Sequence, residues 1–283
     1  MLSDAVAPET VTPAALAVAP NGGRRTKADH PAVPVTREEI ALTAAACLEA
    51  GACMIHAHVR NRAGGHVLDV DAYRTTIAAV RTEVGDRMVV QITSEALGIY
   101  RPAEQMAVVR EVRPEAVSLA LRELVPDSSQ ESAFADFLAW LRRESVTPQI
   151  ILYSPEEAVR LADLKTRGVI PFNDVPVLYV LGRYTAGQKS SPADLLPFIA
   201  PGTPRFAHWS VCAFGVREIA CVTAAALLGG HARVGFENNL YLPDGAVAPD
   251  NASLVAVARS TVGACGIAIA TAADLRAAWA AMA

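Results

Sequence analysis

Apolar runs with the length of buried strands alternate with helix-like segments along the whole chain, and this alternation constrains the fold most. The predicted strands lie within residues 14–20, 51–60, 88–93, 115–120, 148–153, 175–181, 206–213 and 231–237. The predicted helices lie at 36–51, 69–83, 102–112, 131–144, from 155, at 191–194 and 217–228, with two closing helices from about 251 and 271. Eight strand-then-helix units result.

Apolar strands separated by helices indicate a parallel sheet, and eight such units favour a closed barrel over an open sheet. The glycine patterns GxGxxG and GxxxxGK[ST] are absent from the 283 residues, which argues against a dinucleotide-binding or P-loop fold. We therefore predict a single-domain α/β protein, a (β/α)8 TIM barrel spanning residues 14–283. Residues 1–13, with Pro8 and Pro13 among small residues, are predicted to be a frayed tail.

Composition excludes several classes of function. The chain is 52% apolar and carries 25 basic and 29 acidic residues, mixed along its length, for a net charge of −4. It has no basic footprint for nucleic acid and no polybasic membrane patch. No signal peptide and no apolar run of about 18 residues are visible, and five scattered cysteines form no CxxC motif. A cytoplasmic protein without nucleic-acid or membrane partners is expected.

Two histidines end the second predicted strand. His56 and His58 are separated by one residue, and side chains on a strand alternate between faces, so both point to one side about 7 Å apart along the backbone. That spacing suits two imidazoles that bind one divalent metal. The alternative is a pair of polar residues at the end of a strand.

A carboxylate on the last strand strengthens the metal hypothesis. By the same two-residue period, Arg233 and Glu237 face the barrel interior together, and the eighth strand closes near the second. Two imidazoles and one carboxylate leave coordination positions open, as in catalytic rather than structural zinc sites. The alternative for Glu237 is a simple salt bridge to Arg233.

Other polar residues also fall at the carboxyl ends of strands, where barrel enzymes place their active sites. They are Thr93, Ser94, Ser118, Tyr153, Ser154 and Asn238. For the hydroxyl residues, packing within the barrel is the alternative interpretation. His208 and His231 lie away from the strand exits and are predicted to be structural.

From about Val18 to the C-terminus, the chain resembles the β-keto acid cleavage enzymes, a family that includes 3-keto-5-aminohexanoate cleavage enzyme. The resemblance rests on long motifs in a fixed order. They are APNG (19–22) followed by Thr26-Lys27, PVTREEI (34–40), GACMIHAHVR (51–60), WSVCAFG (209–215) and GGHARVGFENNLY (229–241).

The resemblance implies a zinc-dependent TIM barrel, usually a homotetramer, that converts a β-keto acid and acetyl-CoA into acetoacetate and a new acyl-CoA. His56, His58 and Glu237 fall on the family's zinc ligands, and Arg233 on an arginine that orients the acid/base group. Ser94, or with less support Thr93, and Ser118 align with positions that contact the substrate.

Two positions depart from the family pattern. Arg24 stands where a family member has a glutamate that holds the substrate's amino group, which reverses the charge preference. We therefore expect an anionic or neutral polar substrate rather than an amino-substituted one. Asn238 stands where the family has its acid/base aspartate, and asparagine cannot accept a proton.

Two other functions remain open from the sequence. A metal-dependent hydrolase could use the same barrel, but amidohydrolases need histidines on the fifth and sixth strands, and residues 148–153 and 175–181 contain none. A catalytically impaired protein that binds zinc or a metabolite would explain Asn238. That protein would bind zinc without exchanging acyl groups.

Overall fold

Eight parallel strands close into a barrel in the computed structural model of the chain, which describes residues 12–282. Each strand pairs with its sequence neighbours, and β1 closes the barrel against β8. The strands are β1 Leu16–Val18, β2 Met54–Ala57, β3 Val89–Thr93, β4 Ala116–Ala120, β5 Thr147–Leu152, β6 Val177–Leu181, β7 Trp209–Ala213 and β8 His231–Val234. The predicted (β/α)8 TIM barrel is confirmed.

Helices follow the strands and surround the barrel. They are α1 Arg37–Ala50, α2 Val70–Val84, α3 Pro102–Val112, α4 Leu121–Leu124, α5 Glu131–Arg143, α6 Pro155–Thr166, α7 Leu196–Ile199, α8 Glu218–Leu227, α9 Asn251–Ala264 and α10 Ala272–Ala280. The one-turn helix α4 was not predicted, because it is too short to show a helical period in the sequence.

Local signals set several helix ends. Thr36 and Glu39 form the predicted capping box of α1, each side chain accepting a backbone N–H of the other residue. The same helix ends at Gly51, whose φ of 118° suits a residue without a Cβ. Pro155 occupies the first turn of α6, where its missing N–H costs no hydrogen bond.

The two largest clusters of buried apolar side chains leave one end of the barrel open. Most buried apolar side chains lie between the outer face of the barrel and the surrounding helices. A second cluster closes the N-terminal end of the barrel, where Leu275 and Trp279 of α10 pack near Met54 and Val89. The carboxyl ends of the strands therefore remain available for a site.

Strand β8 is shorter than predicted. We expected residues 231–237 to be extended, but the strand ends at Val234 and the chain turns at Gly235, whose φ is 133°. A Cβ at this position would lie 2.5 Å from the carbonyl oxygen of Ala19, so the close approach to β1 requires glycine. Glu237 therefore lies in a turn, where its N–H donates to the oxygen of Ala19 at 3.0 Å.

Most of the predicted frayed tail, residues 1–13, lies outside the described residues, so this part of the domain assignment stays a prediction. Within residues 12–282, no helix combines the length and apolar character needed to cross a membrane. All five cysteines are free thiols; four are buried, whereas Cys265 is exposed.

Candidate metal and substrate site

The two predicted histidines meet at the carboxyl end of β2. His56 is the third residue of the strand, and His58 follows its last residue. Their Nε2 atoms lie 3.1 Å apart, and both side chains are almost completely buried. Asn21 fixes the backbone of His58 from both sides, because its amide accepts the N–H of His58 at 3.3 Å and donates to its carbonyl oxygen at 2.9 Å.

Glu237 completes a triad with these histidines. Its Oε2 atom lies 3.5 Å from Nε2 of His56 and 3.4 Å from Nε2 of His58. The other carboxylate oxygen, Oε1, accepts a hydrogen bond from Nη2 of Arg233 at 3.0 Å. Arg233 therefore orients the carboxylate while one oxygen stays directed at the histidines. The structure thus brings all four predicted residues together, although the turn after β8 delivers Glu237.

The triad has the dimensions of a zinc site. Its three ligand atoms all lie within 4.8 Å of one another. A tetrahedral zinc with bonds of about 2.0–2.1 Å separates its ligands by roughly 3.3 Å, close to the three observed separations. Among the described residues, Oε2 of Glu237 has no hydrogen-bond partner, as expected for an atom reserved for a metal. The residues therefore fit zinc.

The protonation states also suit a metal. Burial lowers the pKa of His56 to about 3, so its imidazole is neutral and offers a lone pair. Burial alone would raise the pKa of Glu237, but the positive charge of Arg233 holds it well below its usual range. Neutral imidazoles and a charged carboxylate are the forms that bind metal ions.

A cavity of about 190 Å³ opens above the triad. One side of it is polar and includes the triad, Thr93, Ser118, Glu95 and Arg24. The other side is largely apolar. It is formed by one residue each of β4, β5 and β6 and by the residue that follows β7, namely Ala120, Ile151, Val180 and Phe214. The site therefore offers separate polar and apolar surfaces to its ligands.

Two of the three predicted hydroxyl residues line the cavity, and the third does not. Thr93 and Ser118 both line the cavity, and the hydroxyl of Ser118 lies 3.4 Å from that of Thr93. Ser94, which we expected ahead of Thr93, is not among the cavity-lining residues. Its hydroxyl donates to the carbonyl oxygen of Ser118 at 2.9 Å, because successive residues of an extended chain point to opposite faces.

Arg24 and Asn238 occupy different environments. Arg24 is exposed and lines the cavity at its mouth. Asn238 is buried and is not part of the cavity lining, and neither atom of its amide has a hydrogen-bond partner within residues 12–282. Its backbone oxygen accepts the N–H of Gly215 at 3.2 Å. Asn238 is therefore adjacent to the site in sequence without facing the cavity.

Gln91 and Glu95, which contact the histidines of the triad, were not predicted from the sequence. Gln91 contacts the far side of the His56 ring, with Oε1 2.8 Å from Nδ1. Glu95 lines the cavity, and its Oε2 lies 3.8 Å from Nδ1 of His58. Both belong to the chain segment of β3 that carries Thr93, and Gln91 precedes Thr93 by two residues on the same face. This two-residue spacing from Thr93 was the feature of the sequence that could have indicated Gln91.

Comparisons with known proteins agree on one family. The family model described as beta-keto acid cleavage enzyme matches residues 13–280. The 3-keto-5-aminohexanoate cleavage enzyme of Fusobacterium nucleatum subsp. nucleatum is 30% identical over 239 residues, which cover 83% of this chain and 85% of that protein. The 3-oxoadipate:acetyl-CoA acetyltransferase of Cupriavidus necator is 27% identical over 274 residues, covering 94% of each chain.

Solved structures support the fold. The apo structure of ObcA superposes with a TM-score of 0.69 at 16% sequence identity, covering 88% of this chain and 66% of that one. At this identity the likeness establishes a shared barrel and nothing about the reaction.

Proposed function

The chain belongs to the β-keto acid cleavage enzyme family, and we propose that it is a zinc-dependent acyltransferase acting on a β-keto acid and acetyl-CoA. The reaction breaks the bond between the ketone carbon and the methylene that carries the carboxylate. That methylene fragment joins the acetyl group to give acetoacetate, and the remaining acyl group joins CoA. All atoms of the two substrates appear in the two products.

The observation that carries the proposal is the triad at the floor of a cavity that also presents two hydroxyl groups. His56, His58 and Glu237 would hold the zinc ion. When bound, zinc supplies a Lewis acid that stabilises negative charge on a ketone oxygen. Thr93 and Ser118 offer hydroxyl donors to the substrate carboxylate from the neighbouring strands β3 and β4. The site thus offers one group for the ketone and another for the carboxylate of a β-keto acid.

Arg233 has a positioning role in this proposal. Its guanidinium is buried and donates to Oε1 of Glu237 and, at 3.3 Å, to Sγ of Cys212. The ion pair keeps the carboxylate charged and fixes which oxygen faces the histidines. Asn238 cannot move a proton, and its side chain does not line the cavity, so another group must perform any acid/base step at this site.

The charge at the cavity mouth indicates the class of substrate. Arg24 and its neighbour Arg25 line the cavity on the loop after β1. We propose that they favour a β-keto acid with an anionic or neutral polar side chain, such as a β-keto diacid, over an amino-substituted one. Among the relatives, the Cupriavidus enzyme is named for the diacid 3-oxoadipate and the Fusobacterium enzyme for an amino-substituted acid.

The assembly of the enzyme is a proposal from the family resemblance, and its location is a proposal from the sequence. We expect a homotetramer in the cytoplasm, and light scattering of the purified protein would measure its mass.

A hydrolase has no comparable support, because β5 and β6 contain no histidine. A catalytically impaired zinc or metabolite-binding protein is the second candidate, favoured by the asparagine at position 238, which cannot accept a proton.

The test is mass spectrometry of CoA thioesters after zinc-loaded protein is mixed with acetyl-CoA and a panel of cationic, neutral and dianionic β-keto acids. Acetyl-CoA labelled with ¹³C in the acetyl group should transfer its label to acetoacetate and leave the new acyl-CoA unlabelled. His56→Ala should abolish exchange, whereas His208→Phe, at the opposite end of the barrel, should retain it. Stoichiometric zinc without any exchange would favour the binding-protein alternative.

A further inference from the structure

Two arginines alternate with three aromatic rings beside the apolar side of the cavity. The Cζ atom of Arg122 lies 4.4 Å from the ring centre of Tyr153 and 5.0 Å from that of Tyr184. Arg183 lies 5.9 Å from Tyr184 and 5.1 Å from Phe214. We call these five residues the arginine–aromatic cluster. Contacts of this kind hold cationic and aromatic groups in fixed relative positions.

The cluster connects the cavity to the protein surface. Tyr153, Arg183 and Phe214 line the cavity, whereas the side chain of Tyr184 is 68% exposed. The cluster follows strands β4 to β7, whereas the zinc triad lies at the end of β2 and in the turn after β8. In the barrel order, β5 and β6 lie across from β1 and β2. A long ligand can therefore reach the triad from this side while the keto acid contacts the loop after β1.

The cluster carries uncompensated positive charge. Arg122 is paired with Glu157 at 2.6 Å, but Arg183 forms no salt bridge with any residue in the described part of the chain. Residues 182–190 (GRYTAGQKS), the loop that contains Arg183 and Tyr184, include a second cation, Lys189, and no acidic residue. This loop therefore presents a positive surface suited to phosphate groups.

The loop is held in place by its own contacts. The hydroxyl of Ser190 donates to the carbonyl oxygen of Phe214 at 2.7 Å, and Thr185 bonds to the backbone of Lys189. A Cβ on Gly215 would lie 2.7 Å from the oxygen of Gln188, so the loop packs directly on the end of β7. Arg183 and Tyr184 thus extend from a rigid loop, which lowers the entropic cost of binding a ligand.

We infer that the arginine–aromatic cluster binds the phosphorylated nucleotide end of acetyl-CoA and that the apolar wall of the cavity receives its thioester arm. This inference rests on the proposed function. Acetyl-CoA joins an acetyl thioester, an arm of methylene and amide groups, a diphosphate and an adenine ring in one chain. The surface offers the matching series from the inside outward: the zinc triad, the wall formed by Ala120, Ile151 and Val180, the cation of Arg183 and the exposed ring of Tyr184. Tyr184 provides a stacking face for adenine.

Isothermal titration calorimetry of the zinc-loaded protein with CoA tests the inference without requiring turnover. Tyr184→Ala and Arg183→Ala should each raise the Kd for CoA about tenfold, whereas Tyr184→Phe, which keeps the stacking face, should bind like the wild type. Arg87→Ala is the matched control, because Arg87 is an exposed arginine that precedes β3 at the opposite end of the barrel. In the exchange assay, the two alanine variants should raise KM for acetyl-CoA and leave KM for the keto acid unchanged.

Two results would overturn the inference in distinguishable ways. If the wild type binds CoA and both alanine variants bind it equally well, the nucleotide lies elsewhere and the proposed function stands. If the zinc-loaded wild type does not bind CoA at all, the inference and the acyltransferase proposal fail together. Unchanged zinc content in the variants would show that the triad is intact.

Discussion

The amide oxygen of Gln91 lies 2.8 Å from Nδ1 of His56, on the side of the ring away from Glu237. The Gln91 amide is oriented in turn, because its nitrogen donates to Oε1 of Gln149 at 3.1 Å. An amide oxygen can only accept, so Nδ1 of a neutral His56 carries the proton and Nε2 keeps its lone pair. Gln91 therefore selects the tautomer that a metal ligand needs.

We expect Gln91→Leu to weaken zinc binding by about 10- to 100-fold, the usual range for loss of a group that orients a metal-bound histidine. Competition against a chromophoric chelator measures the affinity. Gln149→Leu, one step further from the ring, should have a smaller effect. Equal affinity in Gln91→Leu and the wild type would show that the hydrogen bond does not orient His56.

The sequence predicted the barrel and the triad because both depend on local periods. His56 and His58 share a face through the two-residue period of a strand, and β2 is extended up to Ala57. The same period was wrong for Glu237, since the strand ends before it and the turn at Gly235 brings it to the site. The family motif at residues 229–241 identified Glu237, even though the strand geometry predicted for this residue was wrong.

Contacts between strands could not be predicted from the sequence. His56 faces Gln91 because β2 and β3 pair in that register, and a single sequence does not contain the register. The turn that hides Asn238 from the cavity is likewise set by contacts with Ala19 and Gly215, which are distant in the chain. Sequence periods therefore predict which face a residue occupies, whereas the structure is needed to find its partners.

Arg24→Glu should reverse the charge preference of the enzyme. Arg24 is at the cavity mouth, where a carboxylate would repel a dianionic substrate and attract an amino group. We expect the ratio of kcat/KM for a β-keto diacid to that for an amino-substituted β-keto acid to fall by at least about tenfold. Arg87→Ala serves as the control. A wild-type enzyme that already prefers the amino-substituted acid would refute the substrate proposal.

Asn238→Asp should slow turnover rather than restore a missing base. The side chain is buried without a hydrogen-bond partner in the described chain, so a carboxylate there would be neither solvated nor paired. We expect the free energy of unfolding to fall by about 3–5 kcal/mol, the usual cost of an unpaired buried charge, measured by urea denaturation. Faster exchange at unchanged stability would indicate that position 238 can still serve as the acid/base group.

Glu218 is expected to hold the turn that presents Glu237. Its carboxyl group is fully buried and accepts the N–H of Gly235 at 3.2 Å and the side-chain amide of Asn239 at 3.3 Å. Burial raises the pKa of this carboxyl group well above its usual range. Glu218→Ala leaves the N–H of Gly235 without this acceptor and leaves the amide nitrogen of Asn239 with only its bond to the oxygen of Tyr241. The loss should cost about 2–4 kcal/mol of stability and reduce zinc affinity.

Glu218→Gln keeps one acceptor and should cost about 1 kcal/mol, with most of the zinc affinity retained. Urea denaturation and chelator competition on the same preparations give both quantities. If alanine and glutamine behave alike, Glu218 contributes only by filling space.

Two stacked histidines at the N-terminal end of the barrel should make the fold sensitive to acid. The rings of His208 and His231 lie 4.0 Å apart, and burial lowers the pKa of His231 to about 4 and that of His208 well below its usual range. Between pH 6.5 and 4 the unfolded chain binds protons on these rings while the folded chain does not, so stability falls as the pH falls. For His231 alone the full loss is about 3 kcal/mol.

His208→Phe should reduce this acid dependence. Neither ring nitrogen of His208 has a hydrogen-bond partner within residues 12–282. Phenylalanine therefore removes a titrating group and leaves no hydrogen-bonding group without its partner. Urea denaturation of metal-free protein at pH 7 and pH 5 gives the loss of stability for each protein. Because the two proteins differ only at position 208, the difference between the two losses reports on His208 and on its contact with His231. Equal losses in the variant and the wild type would show that His208 is protonated as easily in the folded chain as in the unfolded one.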